Sequence, residues 1–105
     1  MNEKIAIFLI VERGKADKIV ESANKNGAKG ATILYGRGTG KNDNKKLFNI
    51  KVESSKEIIL MIVDKDDYSK MYKILLKSGE IEKPGKGIIF SIPVFDFMGL
   101  EFRND

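Results

Sequence analysis

Two stretches of the chain, Ile5 to Val11 and Ile58 to Val63, are apolar at every position. A strand sends alternate side chains to opposite faces, so an all-apolar strand needs cover on both sides of its sheet. Both runs are rich in branched residues and end in polar breaks, Glu12-Arg13-Gly14 and Asp64-Lys65-Asp66-Asp67, so both read as central strands. At seven and six residues they fall far short of the ~20 that span a bilayer. Met1-Asn2-Glu3-Lys4 leads into the first run with no small-residue cleavage site after it. The expectation is therefore no signal peptide and a cytoplasmic location.

Helical stripes separate the strands. From Lys15 to Asn26 the apolar positions Ala16, Ile19, Val20 and Ala23 fall on one face, leaving Lys15, Asp17, Lys18, Glu21 and Lys25 to water. Gly27 stands where a left-handed cap ends such a helix. Gly30 to Tyr35 reads as a second strand, closed by Gly36-Arg37-Gly38-Thr39-Gly40. The third strand, Glu57 to Val63, gives way to Asp64-Lys65-Asp66-Asp67 as turn and helix cap. Tyr68, Met71, Tyr72, Leu75 and Leu76 form the second stripe, which Ser78-Gly79 ends. Ile88 to Val94 is a fourth strand, and Pro93 places its end at a strand terminus or a sheet edge.

This order predicts an α+β fold: one ferredoxin-like βαββαβ sandwich over residues 1–105, its antiparallel sheet carrying two helices on one face. The other face is then bare although its strands are apolar. A second copy of the chain is the best cover, aided by Phe95, Phe97, Met98, Leu100 and Phe102. The alternative is that this tail wraps its own sheet.

The residues exclude more chemistry than they suggest. The chain has no cysteine and no histidine, which removes disulfides, thiolate nucleophiles, zinc-thiolate sites and the commonest acid-base residue. Asp64, Asp66 and Asp67 read as helix-start charges, Ser54 and Ser55 have no identifiable basic partner, and Tyr35, Tyr68 and Tyr72 read as core-edge aromatics. No catalytic residue or metal site is expected, no enzyme activity, and no nucleic-acid partner. The formal charge is +4, and five lysines between Lys41 and Lys56 face only Asp43 and Glu53. That stretch reads either as a solvated loop or as a surface for a phosphate or acidic partner. Alternation at Phe48, Ile50 and Val52 suggests a short extended arm within it; a disordered loop is the alternative.

Two glycine-rich turns bear on the phosphate option, Gly36-Arg37-Gly38-Thr39-Gly40-Lys41 and Pro84-Gly85-Lys86-Gly87. Glycine lets backbone amides converge on an anion, Lys41 and Lys86 add charge, and Thr39 adds a hydroxyl. Neither turn has P-loop spacing. Tight turns at strand ends are the alternative reading.

Taken in order, Gly27-Ala28-Lys29-Gly30-Ala31-Thr32, Gly38-Thr39-Gly40-Lys41, Lys56, and Gly85-Lys86-Gly87-Ile88-Ile89-Phe90 before Ile92-Pro93-Val94 make the chain resemble the PII signal-transduction (nitrogen regulatory) proteins, as a short PII-like member. The resemblance implies a homotrimer with inward-facing sheets and an adenine nucleotide (ATP, ADP or AMP) between subunits. It implies Gly38, Thr39, Gly40, Lys41, Lys56, Gly85, Lys86 and Gly87 as nucleotide-binding residues. A flexible loop, about 41–55, would dock on enzymes, transcription regulators or a membrane transporter, with Leu47 and Phe48 as its anchors. Departures accompany it. Lys41 stands for the usual arginine and Asn42 for the glutamine that serves magnesium and 2-oxoglutarate. Ile88 takes the place of a lysine, and Gly99 and Glu101 fall where arginines bind nucleotide. Weak nucleotide affinity, or a shift toward fewer phosphates, is the expectation. A trimeric interaction module without nucleotide is the alternative. A related metal-tolerance protein is a third reading, against which the lack of histidine and cysteine counts.

Overall fold

In the computed structural model the described residues are 3–39, 46–47, 50–51 and 54–100. The elements are β1 (Lys4–Glu12), α1 (Ala16–Lys25), β2 (Thr32–Gly38), β3 (Lys46–Leu47), β4 (Ile50–Lys51), β5 (Ser54–Asp64), α2 (Lys65–Ser78) and β6 (Gly87–Val94). Four strands form an antiparallel sheet in the order β2-β5-β1-β6, so the two all-apolar runs are its central pair. Both helices pack on one face. This is the expected ferredoxin-like sandwich. The short β3 and β4 pair with each other, Lys46 opposite Lys51 and Leu47 opposite Ile50, which makes the expected arm a hairpin.

Register divides the central strands cleanly. Ile7, Leu9 and Val11 of β1, with Ile59, Met61 and Val63 of β5, face the helices and meet Ala16, Ile19, Ala23, Met71 and Leu75 in the core. Burying each large aliphatic side chain contributes about 1.5–3 kcal/mol to this core. In α2 Ile74, not Leu76, joins Tyr68, Met71, Tyr72 and Leu75 at the core. Pro93 lies next to the end of β6, an edge strand, where no neighbour needs its missing N–H.

The helix ends are built from unexpected residues. Asp64 occupies the N-cap position of α2 yet makes no side-chain cap. Its carboxylate pairs instead with Lys4, directly opposite it in the sheet. Helix α1 is capped from outside by Glu57 of β5, which accepts the N–H of Gly14 and of Ala16, both at 2.9 Å. At its other end Gly27 takes φ +98°, as expected, while Ala28 N–H returns to the Ala23 carbonyl. The second helix closes the same way one residue later than its glycine. Ile81 N–H bonds the Leu76 carbonyl and Glu80 N–H that of Lys77, so Glu80 takes the left-handed conformation, φ 54°. Glu80→Gly is therefore expected to raise the thermal midpoint by about 3–6 °C, read by circular dichroism. No change would mean that another interaction of Glu80 offsets the backbone gain.

The face away from the helices is apolar and open. It carries Phe8 and Ile10 of β1, Ile58, Leu60 and Ile62 of β5, Leu34 of β2, and Ile88, Phe90 and Ile92 of β6. Ile88 is 60% exposed, Leu34 and Ile92 are each 47% and Phe90 43%, so among the described residues this face is left largely uncovered. The tail divides. Phe97 lies under the Lys4 ammonium, 5.8 Å from its ring centre, and Leu100 lines a cleft beside it, whereas Phe95 and Met98 are fully exposed.

Candidate functional site

The strand register gathers most of the expected site residues at one end of the sheet. Lys56 of β5 stands opposite Glu12 of β1 and Gly36 of β2, Gly38 pairs with Ser54, and Gly87 pairs with Val11. Gly36 and Gly38 are thus strand residues, not a turn as their spacing suggested. The reason is that β5 begins at Ser54, four residues earlier than its apolar run, and offers β2 a backbone to pair with. A G-x-G alternation sends both missing side chains to the open face, and the Lys56 stem runs in the space beside Gly38. Thr39 follows the strand as an exposed residue. Gly40, Lys41 and Phe48 lie outside the described residues, as do Asn42 and Glu101, and of Leu47 only the backbone is described.

Two of the expected cations at this end, Lys56 and Lys86, already face acids. The Lys56 amine meets a Glu12 carboxylate oxygen at 2.5 Å, its side chain only 18% exposed. Lys86, in the turn before β6, lies near Glu80, whose carboxyl is held below its usual range by its hydrogen bond to Lys83, by the charge of Lys83 and then by Lys86. Beside Lys56 a cleft of about 270 Å3 is lined by Arg13, Tyr35, Gly36, Arg37 and Ser55. Arg13 sits 5.9 Å above the Tyr35 ring. Arg13 and Arg37 were not expected site residues and Ser55 was set aside for want of a basic partner; only their placement beside Lys56 reveals them. Glu57 was also missed as more than a strand start. Its signal was an acid at an inward position, two before Ile59, and it is the one charged side chain buried among the described residues.

Among the described residues the two glycine-rich segments do not converge within a chain. Gly38 ends β2 at one sheet edge and Gly87 opens β6 at the other, with β5 and β1 between them. Three strand spacings amount to about 14 Å. A site using both turns needs one edge of one chain and the opposite edge of another. At the far end of the sheet a second cleft, about 220 Å3, is lined by Lys4, Ala28, Lys29, Asp64 and Asp67, none of them expected site residues. Among the described residues no group of three acidic side chains is placed to hold a metal.

A small antiparallel sheet with two helices on one face, an apolar second face and glycine-rich segments at opposite edges defines the class of scaffold, a ferredoxin-like sandwich. The family model of the nitrogen regulatory protein P-II matches residues 4–101, and the chain belongs to that family. A solved relative in fold is the crystal structure of Arabidopsis thaliana PII bound to citrate, with a TM-score of 0.74 and 18% identity, covering 99% of this chain and 86% of that one. No curated protein sequence matches significantly. Proteins of the family are signalling regulators, typically trimeric, that interact with partner proteins and bind small effector ligands. No helix among the described residues is long and apolar enough to cross a membrane.

Proposed function

We propose that the protein is a homotrimeric PII-type regulator that binds an adenine nucleotide between subunits and controls a partner protein of nitrogen or related metabolism in the cytoplasm. One observation carries this reading: the two glycine turns stand at opposite edges of a sheet whose open face is apolar. Packing that face against other copies brings the β2 edge of one chain toward the β6 edge of the next. Amides of Gly38 to Gly40 and of Gly85 to Gly87, with Lys41, Lys56, Lys86 and the Thr39 hydroxyl, then surround the phosphates. The residues fit in kind, since amides and ammonium groups both donate to phosphate oxygens. They fit incompletely in number, because the exposed Ile88 stands for a lysine and Gly99 for an arginine. ATP, ADP and AMP are therefore all candidates, and binding is weak.

The loop at 41–55 is the partner-contacting arm, with Leu47 and Phe48 as apolar anchors on a lysine-rich stretch. A membrane-embedded transporter is one such partner; the chain meets it from the water side. The unit 1–105 acts as one domain and performs no catalysis.

Calorimetric titration of the assembled protein with ATP, ADP and AMP tests the ligand. Saturable binding in the high-micromolar to millimolar range is expected. Lys56→Ala should weaken ATP more than AMP, because each charge-assisted phosphate contact contributes about 1.5–3 kcal/mol. No saturation with any of the three at millimolar concentration would leave a trimeric interaction module. Equal losses for ATP and AMP would mean that Lys56 does not reach the outer phosphates.

A further inference from the structure

Lys56 is the cation around which the proposed site is arranged, and it is already engaged. Its amine and the Glu12 carboxylate stand opposite each other on the open face, 2.5 Å apart, in antiparallel register between the two central strands. The backbone register of β1 and β5 sets the two side chains directly opposite each other. Glu12 is 40% exposed and borders water, whereas Lys56 is mostly covered. A ligand phosphate that takes Lys56 must first displace Glu12. It then leaves that carboxylate uncompensated within a few ångströms of the incoming charge.

We infer that Glu12 competes with ligand phosphate for Lys56, and so disfavours the more highly charged phosphoanions at this end of the sheet. Glu12 acts through Lys56 and is a positioning residue. The inference rests on the proposed use of Lys56 as a phosphate contact and adds a reason for selectivity among nucleotides. The penalty has two parts with the same sign, loss of the ion pair and repulsion by the freed carboxylate. Both grow with the charge brought near Lys56. ATP and a bare triphosphate suffer them fully. AMP, whose single phosphate is anchored next to its nucleoside, suffers them little. Arg13 and Arg37 line the adjoining cleft and supply attraction that Glu12 offsets.

Glu12→Gln keeps the shape and a hydrogen-bond acceptor for Lys56 but removes the charge. Calorimetry on the full chain, with ATP, AMP and inorganic tripolyphosphate as probes, is expected to show ATP and tripolyphosphate tightening about tenfold in Glu12→Gln. AMP should change by less than about twofold. The gain should vanish when Lys56→Ala is added, since a merely structural effect of Glu12 would survive that change. Equal tightening of ATP and AMP, no tightening of ATP, or a gain that persists without Lys56 would overturn the inference while leaving nucleotide binding intact. A tenfold gain for tripolyphosphate, with no adenine nucleotide bound better than it, would uphold the role of Glu12 and defeat the nucleotide reading. No binding of any probe to any variant would overturn both.

Discussion

Gly87→Ala is expected to cost about 2–4 kcal/mol of folding stability, the combined effect of a steric clash and a strained backbone. A Cβ at this position would lie 2.4 Å from the Ile10 carbonyl oxygen, 3.1 Å from Ile81 Cδ1 and 3.2 Å from Val11 Cγ1. The first of these neighbours is backbone in the central strand and cannot rotate aside. The residue also has φ +152°, where side-chain-bearing residues are rarely found. Relief requires β6 to part from β1 at the end where their ladder starts. Gly38→Ala is the matched control, because its Cβ would meet only the flexible Lys56 stem, at 3.6 Å. Urea denaturation of both variants should show a large fall in midpoint for the first and a small one for the second. Equal midpoints would mean that β6 tolerates a side chain at its first residue. Gly87 is thus glycine for a packing reason whether or not its amide also meets a phosphate.

Phe90→Glu is expected to abolish self-assembly. Phe90 stacks on Phe8 with ring centres 4.9 Å apart and planes 6° from parallel, in the middle of the open sheet face. Ile88 and Ile92 flank it on the same strand, and Leu60 lies across β1. If three copies bury this face, a carboxylate at position 90 enters each contact without a partner, at a cost of several kcal/mol per chain. Light scattering at micromolar concentration should give three chains for the wild type and one for the variant. A wild-type monomer would remove the trimer, and an unchanged trimer in the variant would place the interface elsewhere. The helix face and its core are untouched by this change, so the variant should retain its circular dichroism spectrum.

The two results bear on the site together. The two glycine-rich segments start from opposite edges of the sheet, so loss of assembly should also abolish nucleotide binding if the proposed site uses both. A monomeric Phe90→Glu that still bound ATP would confine the ligand to one edge, beside Lys56.

Sequence by itself determined the layer architecture. Two all-apolar runs had to be central strands, two stripes of 3.6-residue period had to be helices on one face, and what remained was a bare apolar face. Those inferences hold because hydrophobic burial is periodic and local patterns report it directly. Family membership was legible for a similar reason, since glycines and lysines at fixed points along such a pattern are a linear signal. What only the tertiary structure decided are the partners of charged and strained residues. Asp64 had the local chemistry of a helix cap, yet its carboxylate goes to Lys4 sixty residues away in sequence. Glu57 caps a helix that begins forty-one residues before it. Glu80, not the neighbouring Gly79 that ends the helix in sequence, takes the left-handed position. Gly36 and Gly38 spelled a turn and became strand because β5 reaches back to pair with them. Apart from Glu80, whose bonds run to its own helix, the deciding neighbour comes from another strand, brought close by register. Lys56 shows the consequence for function: its charge was visible in the sequence, but its engagement by Glu12 exists only once β1 and β5 lie side by side.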